Sequence, residues 1–327
     1  MRVMQVLGPS TGGIGVYVRA LAEHCVAAGD EVAVVTVDLR RSPADLPNLR
    51  RRLMRERPEV VHAHGIKAAA AVNLALLGVS RARRPRRVVT LHNAVDARAV
   101  EMLAIRPADV VLGASADLVY RAKSLGAKET AFVPVPAPEL PKAASSRSDT
   151  RAALGVEDDA LLLLSIGRLA PQKSMPVLLD ALEMLTTGPV RLLIAGDGPQ
   201  RAELAARIAA RSLPATLLGH RTDIADLLEA ADAFVLASQW EARALVVQEA
   251  LRAGLPVVAT AVGGLPQLVG DAALLVPWND ASALAEAVHR IEADPRLRER
   301  LAAAGPVRAA TWPQPAEALA LARHWYS

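Results

Sequence analysis

Val3-Met4-Gln5-Val6-Leu7-Gly8-Pro9-Ser10-Thr11-Gly12-Gly13-Ile14-Gly15 passes from a β-favouring apolar run, through a glycine-rich turn, into an Ala/Leu-rich stretch at 16–28 with helical spacing. A strand that yields to a helix through a glycine turn opens a βαβ unit, and this chain repeats the pattern. Further β-rich runs fall at 31–37, 60–63, 88–92, 110–113 and 131–133, separated by helical stretches such as 46–57 and 115–125. A second series occupies 161–166, 191–195, 215–218, 233–237, 256–259 and 273–276. There, helix starts are expected near Lys173, Pro199, Asp223, Ala244 and Ala281. Such alternation predicts an α/β protein with parallel sheets covered by helices on both faces.

The two series are divided by Pro134-Val135-Pro136-Ala137-Pro138-Glu139-Leu140-Pro141, with four prolines in eight residues. Proline cannot continue a helix or a central strand, so this run reads as an interdomain linker. The expected domains are therefore 1–143 and 144–310. An amphipathic helix at 311–327 is expected to pack back toward the N-terminal domain, presenting Leu319, Trp325 and Tyr326. A length of 327 residues suits two domains, and 52% apolar content excludes wholesale disorder. The lone Cys25 excludes a disulfide scaffold and a cysteine-based zinc site, and it fits a reducing compartment. The first residues run straight into a strand without an apolar signal core. The longest apolar window, 66–79, is too short to span a bilayer and holds Lys67 and Asn73. A cytoplasmic location is expected.

Net charge is +4, but it is unevenly spread. Residues 1–150 carry 22 Lys/Arg against 14 Asp/Glu, and residues 151–327 carry 16 against 20. The basic half is either built to meet an anionic partner or simply a solvated face of an Arg-rich protein. Nucleic acid is disfavoured, because Tyr17, Tyr120 and Phe132 are the only aromatic residues before the linker, too few to form stacking platforms.

In open parallel sheets ligands gather at the carboxyl ends of strands, and four loops there carry informative residues. The first, 8–15, offers glycines and a helix N-terminus to an anion, although a glycine turn needed only for packing reads almost as well. The second, Ser165-Ile166-Gly167-Arg168-Leu169-Ala170-Pro171-Gln172-Lys173, leaves Arg168 and Lys173 able to converge on a diphosphate, or to remain solvated. The third, Gly196-Asp197-Gly198-Pro199, reads equally as a turn with a capping Asp and a proline at the first helical position. The fourth runs from Ala237 to Ala250 and sets Glu241 and Glu249 eight residues apart. In one continuous helix that spacing is about 80° beyond two full turns, which puts them on adjoining faces. With Glu241 in the loop and Glu249 in the helix, both can point into one cleft. Glu249 lies among Leu245, Val246, Val247, Ala250 and Leu251, in a helix that reads as apolar all round, so its carboxylate needs partners such as ribose hydroxyls.

Taken in order, these segments resemble the retaining glycosyltransferases of family 4. The second half supplies Gly167-Arg168…Lys173, Gly196-Asp197-Gly198-Pro199, Gly219-His220 and Glu241-x7-Glu249. Residues 253–259 and Val262-Gly263-Gly264-Leu265-Pro266 follow. The first half adds Gly12-Gly13, Val60-Val61-His62-Ala63-His64-Gly65 and Val89-Thr90-Leu91-His92-Asn93. The resemblance implies the GT-B fold, two Rossmann-like doubly wound parallel-sheet domains facing across a cleft. It also implies metal-independent transfer, with retention of anomeric configuration, from a nucleotide diphosphate sugar, UDP- or GDP-linked, to a hydroxyl acceptor that is a small molecule or lipid-linked. No cofactor is expected. By the same resemblance Arg168 and Lys173 hold the donor diphosphate, Glu249 binds ribose and Glu241 touches the donor sugar. Gly12 and Gly13 approach the phosphate, and His92 donates a hydrogen bond to the sugar. Gly167, Gly196, Leu245 and Val246 line the donor, and His64 is structural.

The chain departs from the family after Glu241, where Ala242-Arg243-Ala244 replaces a glycine, an aromatic and a small residue. Gln267 stands where Glu is common, and Val135-Pro136 replaces an Asn-Gly pair. These changes bear on the sugar pocket and keep two rivals in view: a catalytically weak or inactive nucleotide-sugar-binding partner protein, and a GT-B epimerase. The arginines at 40–41, 50–57 and 81–87 suggest peripheral contact of the first lobe with an anionic inner membrane face or a phosphorylated acceptor.

Overall fold

The computed structural model describes residues 1–10, 12–93, 98–185 and 188–327. Thr11 of the first glycine loop lies outside the described residues. The chain forms two compact units, Met1–Pro136 with Pro313–Ser327, and Ala137–Trp312. The units thus divide at 136/137 and 312/313, where the sequence placed the divisions at 143/144 and 310/311. Residues 137–144 stay with the second unit because it supplies their hydrogen-bond partners. The Ala137 amide donates to Gln248 Oε1 at 3.0 Å, Arg252 donates to the Ala137 carbonyl at 2.8 Å, and the Ala144 amide donates to Asp226 Oδ1 at 2.6 Å.

The first unit holds strands β1 (Arg2–Leu7), β2 (Glu31–Thr36), β3 (Val60–His64), β4 (Arg86–Leu91), β5 (Val110–Gly113) and β6 (Thr130–Phe132). They form one parallel sheet in the order β2-β1-β3-β4-β5-β6. Chain direction across the sheet reverses between β1 and β3, which opens a crevice at their carboxyl ends. Register places Gln5 beside His62 and His64 beside Thr90, and side chains aligned across parallel strands share a face. Helix Pro315–His324 packs on helix Gly13–Ala27, and Arg323 grips Asp30 through two bonds of 2.6 and 3.0 Å. Arg323 holds the Asp30 carboxyl below its usual range.

The second unit holds β7 (Leu161–Ile166), β8 (Val190–Ala195), β9 (Ala215–Gly219), β10 (Ala233–Leu236), β11 (Val257–Thr260) and β12 (Leu274–Val276). Their order is β12-β11-β10-β7-β8-β9, all parallel, so the reversal falls between β7 and β10. Strand β7 is buried along its whole length, as an uninterrupted apolar run requires of a central parallel strand. Its alternate residues feed two cores: Leu162, Leu164 and Ile166 join Phe234 and Leu236 on one face, and Leu161 and Leu163 join Val235 on the other. Among the described residues no helix is long and apolar enough to cross a membrane.

Candidate functional site

The reversal between β7 and β10 brings the loops after these strands side by side, and it is there that the second unit concentrates its chemistry. The Gln239 amide donates to the Gln172 carbonyl at 2.8 Å, and Gln172 Nε2 returns a bond of 2.8 Å to the Trp240 carbonyl. Across this seam Lys173 Nζ meets Glu241 Oε1 at 2.5 Å, and the Ser238 hydroxyl donates to the same oxygen at 2.7 Å. Both charged groups are mostly buried, with side-chain exposures of 18% and 11%. The pair is therefore screened less than a surface ion pair, and removing one member strands the other.

Glycines let these loops touch. The stem of Lys173 lies over Gly167, where a Cβ would fall 3.2 Å from Cε. Gly196, at φ +141°, would put a Cβ 2.0 Å from the Gly167 carbonyl oxygen, so only glycine allows the loops after β7 and β8 to close. The turn after β11 supports the acidic loop from the other side. The Gly264 amide donates to the Glu241 carbonyl at 2.8 Å, and Gly263 sits at φ +51° with room for no Cβ, which would stand 2.1 Å from that same oxygen. Gly263→Ala should therefore cost roughly 2–4 kcal/mol, combining a left-handed backbone with a steric overlap. Differential scanning calorimetry checks this, and a melting temperature equal to the parent's would refute it.

Of the two geometries left open by the spacing of the acids, Glu241 lies in the loop and Glu249 in helix Leu245–Arg252. That helix is two-sided rather than apolar all round. It buries Val247, Gln248, Ala250 and Leu251, and leaves Leu245, Val246, Glu249 and Arg252 partly exposed on the opposite side. The structure thus groups Glu249 with Leu245 and Val246. Burial outweighs the attraction of Arg252 and pushes the Glu249 carboxyl up to about 7. Arg168 is exposed, and its guanidinium has no hydrogen-bond or ion-pair partner among the described residues. Asp197 does not cap a helix as the sequence suggested. The next helix begins at Arg201, and Asp197 Oδ1 accepts from the Gly198 amide at 2.7 Å.

Arg243, the departure from the family pattern, lies against Trp312, its guanidinium carbon 5.7 Å from the ring centroid, with Arg252 at 5.9 Å from the same ring. Desolvation, with Arg308 and Arg252 nearby, lowers the Arg243 pKa to about 10. The side chain occupies a place suited to an aromatic residue, stacked on an indole that also donates to the Leu268 carbonyl at 3.2 Å.

In the first unit Gly12 precedes, and Gly13 begins, helix Gly13–Ala27, both exposed, at the carboxyl end of β1. Gly15 lets the turn close, since a Cβ there would stand 2.5 Å from the Ser10 carbonyl. His92 follows β4, its Nε2 3.2 Å from His64 Nδ1 and its ring edge-on to Tyr17. His64 is buried and bonded through Nε2 to Gln5 Oε1 at 2.7 Å. Burial lowers His92 to about 4 and His62 to about 3, so these rings are neutral at pH 7. Sequence reading missed Gln5, Thr90 and Ser238 as parts of these clusters. A glutamine inside the apolar run 3–7 was the available signal.

Two units, each a helix-covered parallel sheet with polar loops gathered at its reversal point, define a protein of the GT-B class. Residues 146–308 match the family described as glycosyl transferases group 1, and residues 11–136 match glycosyltransferase family 4. The chain belongs to this family of glycosyltransferases. It is 32% identical over 252 residues to the putative teichuronic acid biosynthesis glycosyltransferase TuaC of Bacillus subtilis, covering 72% of this chain and 61% of that one. It is 35% identical over 175 residues to D-inositol 3-phosphate glycosyltransferase of Streptomyces bingchenggensis, covering 48% of this chain and 38% of the relative. The chain thus spans less than two thirds of the length of these curated relatives. Among solved structures, Anabaena Alr3699/HepE in complex with UDP-glucose superposes with a TM-score of 0.82 at 20% identity, covering 100% of this chain and 98% of that one.

Proposed function

We propose that the chain is a retaining glycosyltransferase that moves a sugar from a nucleotide diphosphate sugar, UDP- or GDP-linked, to a hydroxyl acceptor. The observation that carries this reading is the Lys173–Glu241 pair at the β7/β10 reversal, held by two backbone-anchored loops beside the unpartnered Arg168 guanidinium. It is supported by family membership and by a neighbour of the same fold that binds UDP-glucose. In the proposed reaction the bond from the sugar anomeric carbon to the diphosphate oxygen breaks. The acceptor oxygen then bonds that carbon on the same face, and the acceptor proton passes to the departing phosphate. Arg168 and Lys173 stabilise the charge that grows on the diphosphate, so no metal or protein base is assigned a role. Glu249 accepts from the ribose hydroxyls, Glu241 from the sugar, and the Gly12–Gly13 amides meet phosphate.

The first unit's proposed partner is anionic, a phosphorylated acceptor or a lipid surface. Several arginines there are spent internally: Arg50 donates to the Ala75 and Leu77 carbonyls, Arg84 to Val79 and Arg86 to Trp325. Arg51, Arg55, Arg57, Arg81 and Arg83 remain exposed.

A thermal-shift screen against UDP-, GDP-, ADP- and TDP-sugars tests the donor, since a ligand at a hundred times its Kd stabilises by about 2.7 kcal/mol. Transfer assays with the hit, run with and without anionic vesicles, follow, and NMR of the product reads the anomeric configuration. Stabilisation by one donor with transfer is expected. Stabilisation without hydrolysis or transfer would leave a nucleotide-sugar-binding protein, and an inverted product would overturn retention.

A further inference from the structure

Tyr326, Gln5, His64 and His92 form one continuous hydrogen-bonded chain inside the first unit, and its proton order can be worked out atom by atom. Gln5 Nε2 donates to the Tyr326 hydroxyl at 2.8 Å. The other end of that amide, Oε1, can only accept, so His64 Nε2, 2.7 Å away, carries its ring's proton. A neutral imidazole has one N–H, which leaves His64 Nδ1 as a lone pair. His92 Nε2 stands 3.2 Å from it and must donate. The single proton of His92 is thereby committed inward and its Nδ1 is bare. A side branch is compatible with this order: the Tyr326 hydroxyl also meets His62 Nδ1 at 2.8 Å, and His62 Nε2 meets Thr90 Oγ1 at 2.6 Å. Burial keeps His62 and His92 neutral and holds His64 well below its ordinary value, so none of the three rings has a second proton at pH 7.

We infer that this chain presets His92 to accept a hydrogen bond from a sugar hydroxyl, with Gln5 and Tyr326 as positioning residues that fix its tautomer. The polarity is opposite to the donating role that the family resemblance implied for His92. The inference rests on the proposed placement of His92 beside the sugar, but the tautomer itself does not. A bare nitrogen selects for a group that can donate, so a hydroxyl is accepted there and an ether or a carbonyl is refused. Tyr326 thus acts at a distance, through Gln5 and His64, on a ring it does not touch.

Two-bond proton–nitrogen correlation spectra of the full chain, labelled with 15N-histidine and recorded at neutral pH, read each tautomer directly. The parent should show Nε2–H on His64 and His92. In Tyr326→Phe the Gln5 amide loses the group it donates to and is free to turn over. A turned amide donates to His64 Nε2, reverses the chain, and gives His92 a population with Nδ1–H. Gln5→Met, which keeps volume and removes both amide ends, should release the same mixture. For an equal mixture only half the molecules are competent, so donor affinity should fall about twofold in each variant. Nδ1–H on His92 in the parent, or unchanged tautomers in folded variants, would overturn the inference. If Tyr326→Phe fails to fold, Gln5→Met and the parent spectrum still decide it. A protein that transfers no sugar from any donor refutes the proposed function and leaves the tautomer result standing.

Discussion

Glu249→Gln should weaken donor binding roughly 30- to 100-fold and, in the same protein, raise the melting temperature of the unliganded form at about pH 8. Both effects come from one carboxylate placed where water solvates it poorly. The binding loss follows from replacing a charged acceptor of two hydroxyls with a neutral amide that retains one acceptor oxygen, worth about 2–3 kcal/mol. The stability gain follows from linkage. Burial lifts the folded-state pKa of Glu249 from 4.5 to about 7. Below the unfolded value both states hold the proton and burial carries no charge penalty. As pH rises from about 4.5 toward 7 the unfolded chain ionises first, so it binds fewer protons than the native state and stability falls. Above about 7 the native carboxylate is charged as well, and the loss levels off at about 1–3 kcal/mol. Gln carries no such penalty, so the variant's stability should lose this slope. Donor affinity of the parent should fall as pH drops below about 7, because a protonated carboxyl gives up an acceptor site, while the variant's affinity stays level. Calorimetric titration and scanning calorimetry at about pH 6 and pH 8 measure both. Unchanged donor affinity in the variant would remove Glu249 from the ribose site, and an unchanged pH slope would show that the group is not desolvated.

The Glu249 carboxylate, lifted by burial, also marks where sequence reading succeeds and where it stops. The strands were legible because a parallel strand covered on both faces is an apolar run bounded by turn residues, as in Leu161–Ile166. Helix starts were legible to within about two residues. Lys173 closes a short 3₁₀ turn before helix Met175–Met184, and Pro199 precedes Arg201 in the same way. Glu249 was legible as a residue type, since a carboxylate among apolar neighbours demands an explanation, and Glu241 through its spacing from Glu249 and the family resemblance. Their surroundings were not. Ser238, the Gly263 turn and the buried Gln5–Tyr326 bond, whose partners are 321 residues apart, depend on which loops the topology brings together. The same holds for Arg243. The resemblance set it beside the expected donor pocket, because it follows Glu241 by two residues. What decides the position of its side chain is Trp312, 69 residues further on.

The two cations at the β7/β10 reversal should then separate by mutation, although both are assigned to one diphosphate. Arg168→Ala should lower kcat about 10²- to 10³-fold, the scale of losing one prepositioned charge contact to a leaving group. It should leave the melting temperature within about 1 °C of the parent, because the Arg168 guanidinium is exposed and has no partner among the described residues. Lys173→Ala should lower kcat at least as far and also raise the KM for donor. It removes the partner 2.5 Å from Glu241 Oε1 and leaves that carboxylate with the Ser238 hydroxyl alone. A buried acid stripped of its cation costs stability as well, so this variant, unlike Arg168→Ala, should melt several degrees lower. The double variant should lose less than the product of the two single losses, because residues that stabilise the same developing charge are not additive. Acceptor KM should not move in either single variant, since the charge they meet grows only as the sugar departs. Steady-state kinetics with the donor found by thermal shift, read beside melting curves, decide the matter. A kcat within about threefold of the parent in Arg168→Ala would place the diphosphate elsewhere, and a full kcat in Lys173→Ala would reduce the Lys173–Glu241 pair to a structural clasp between two loops.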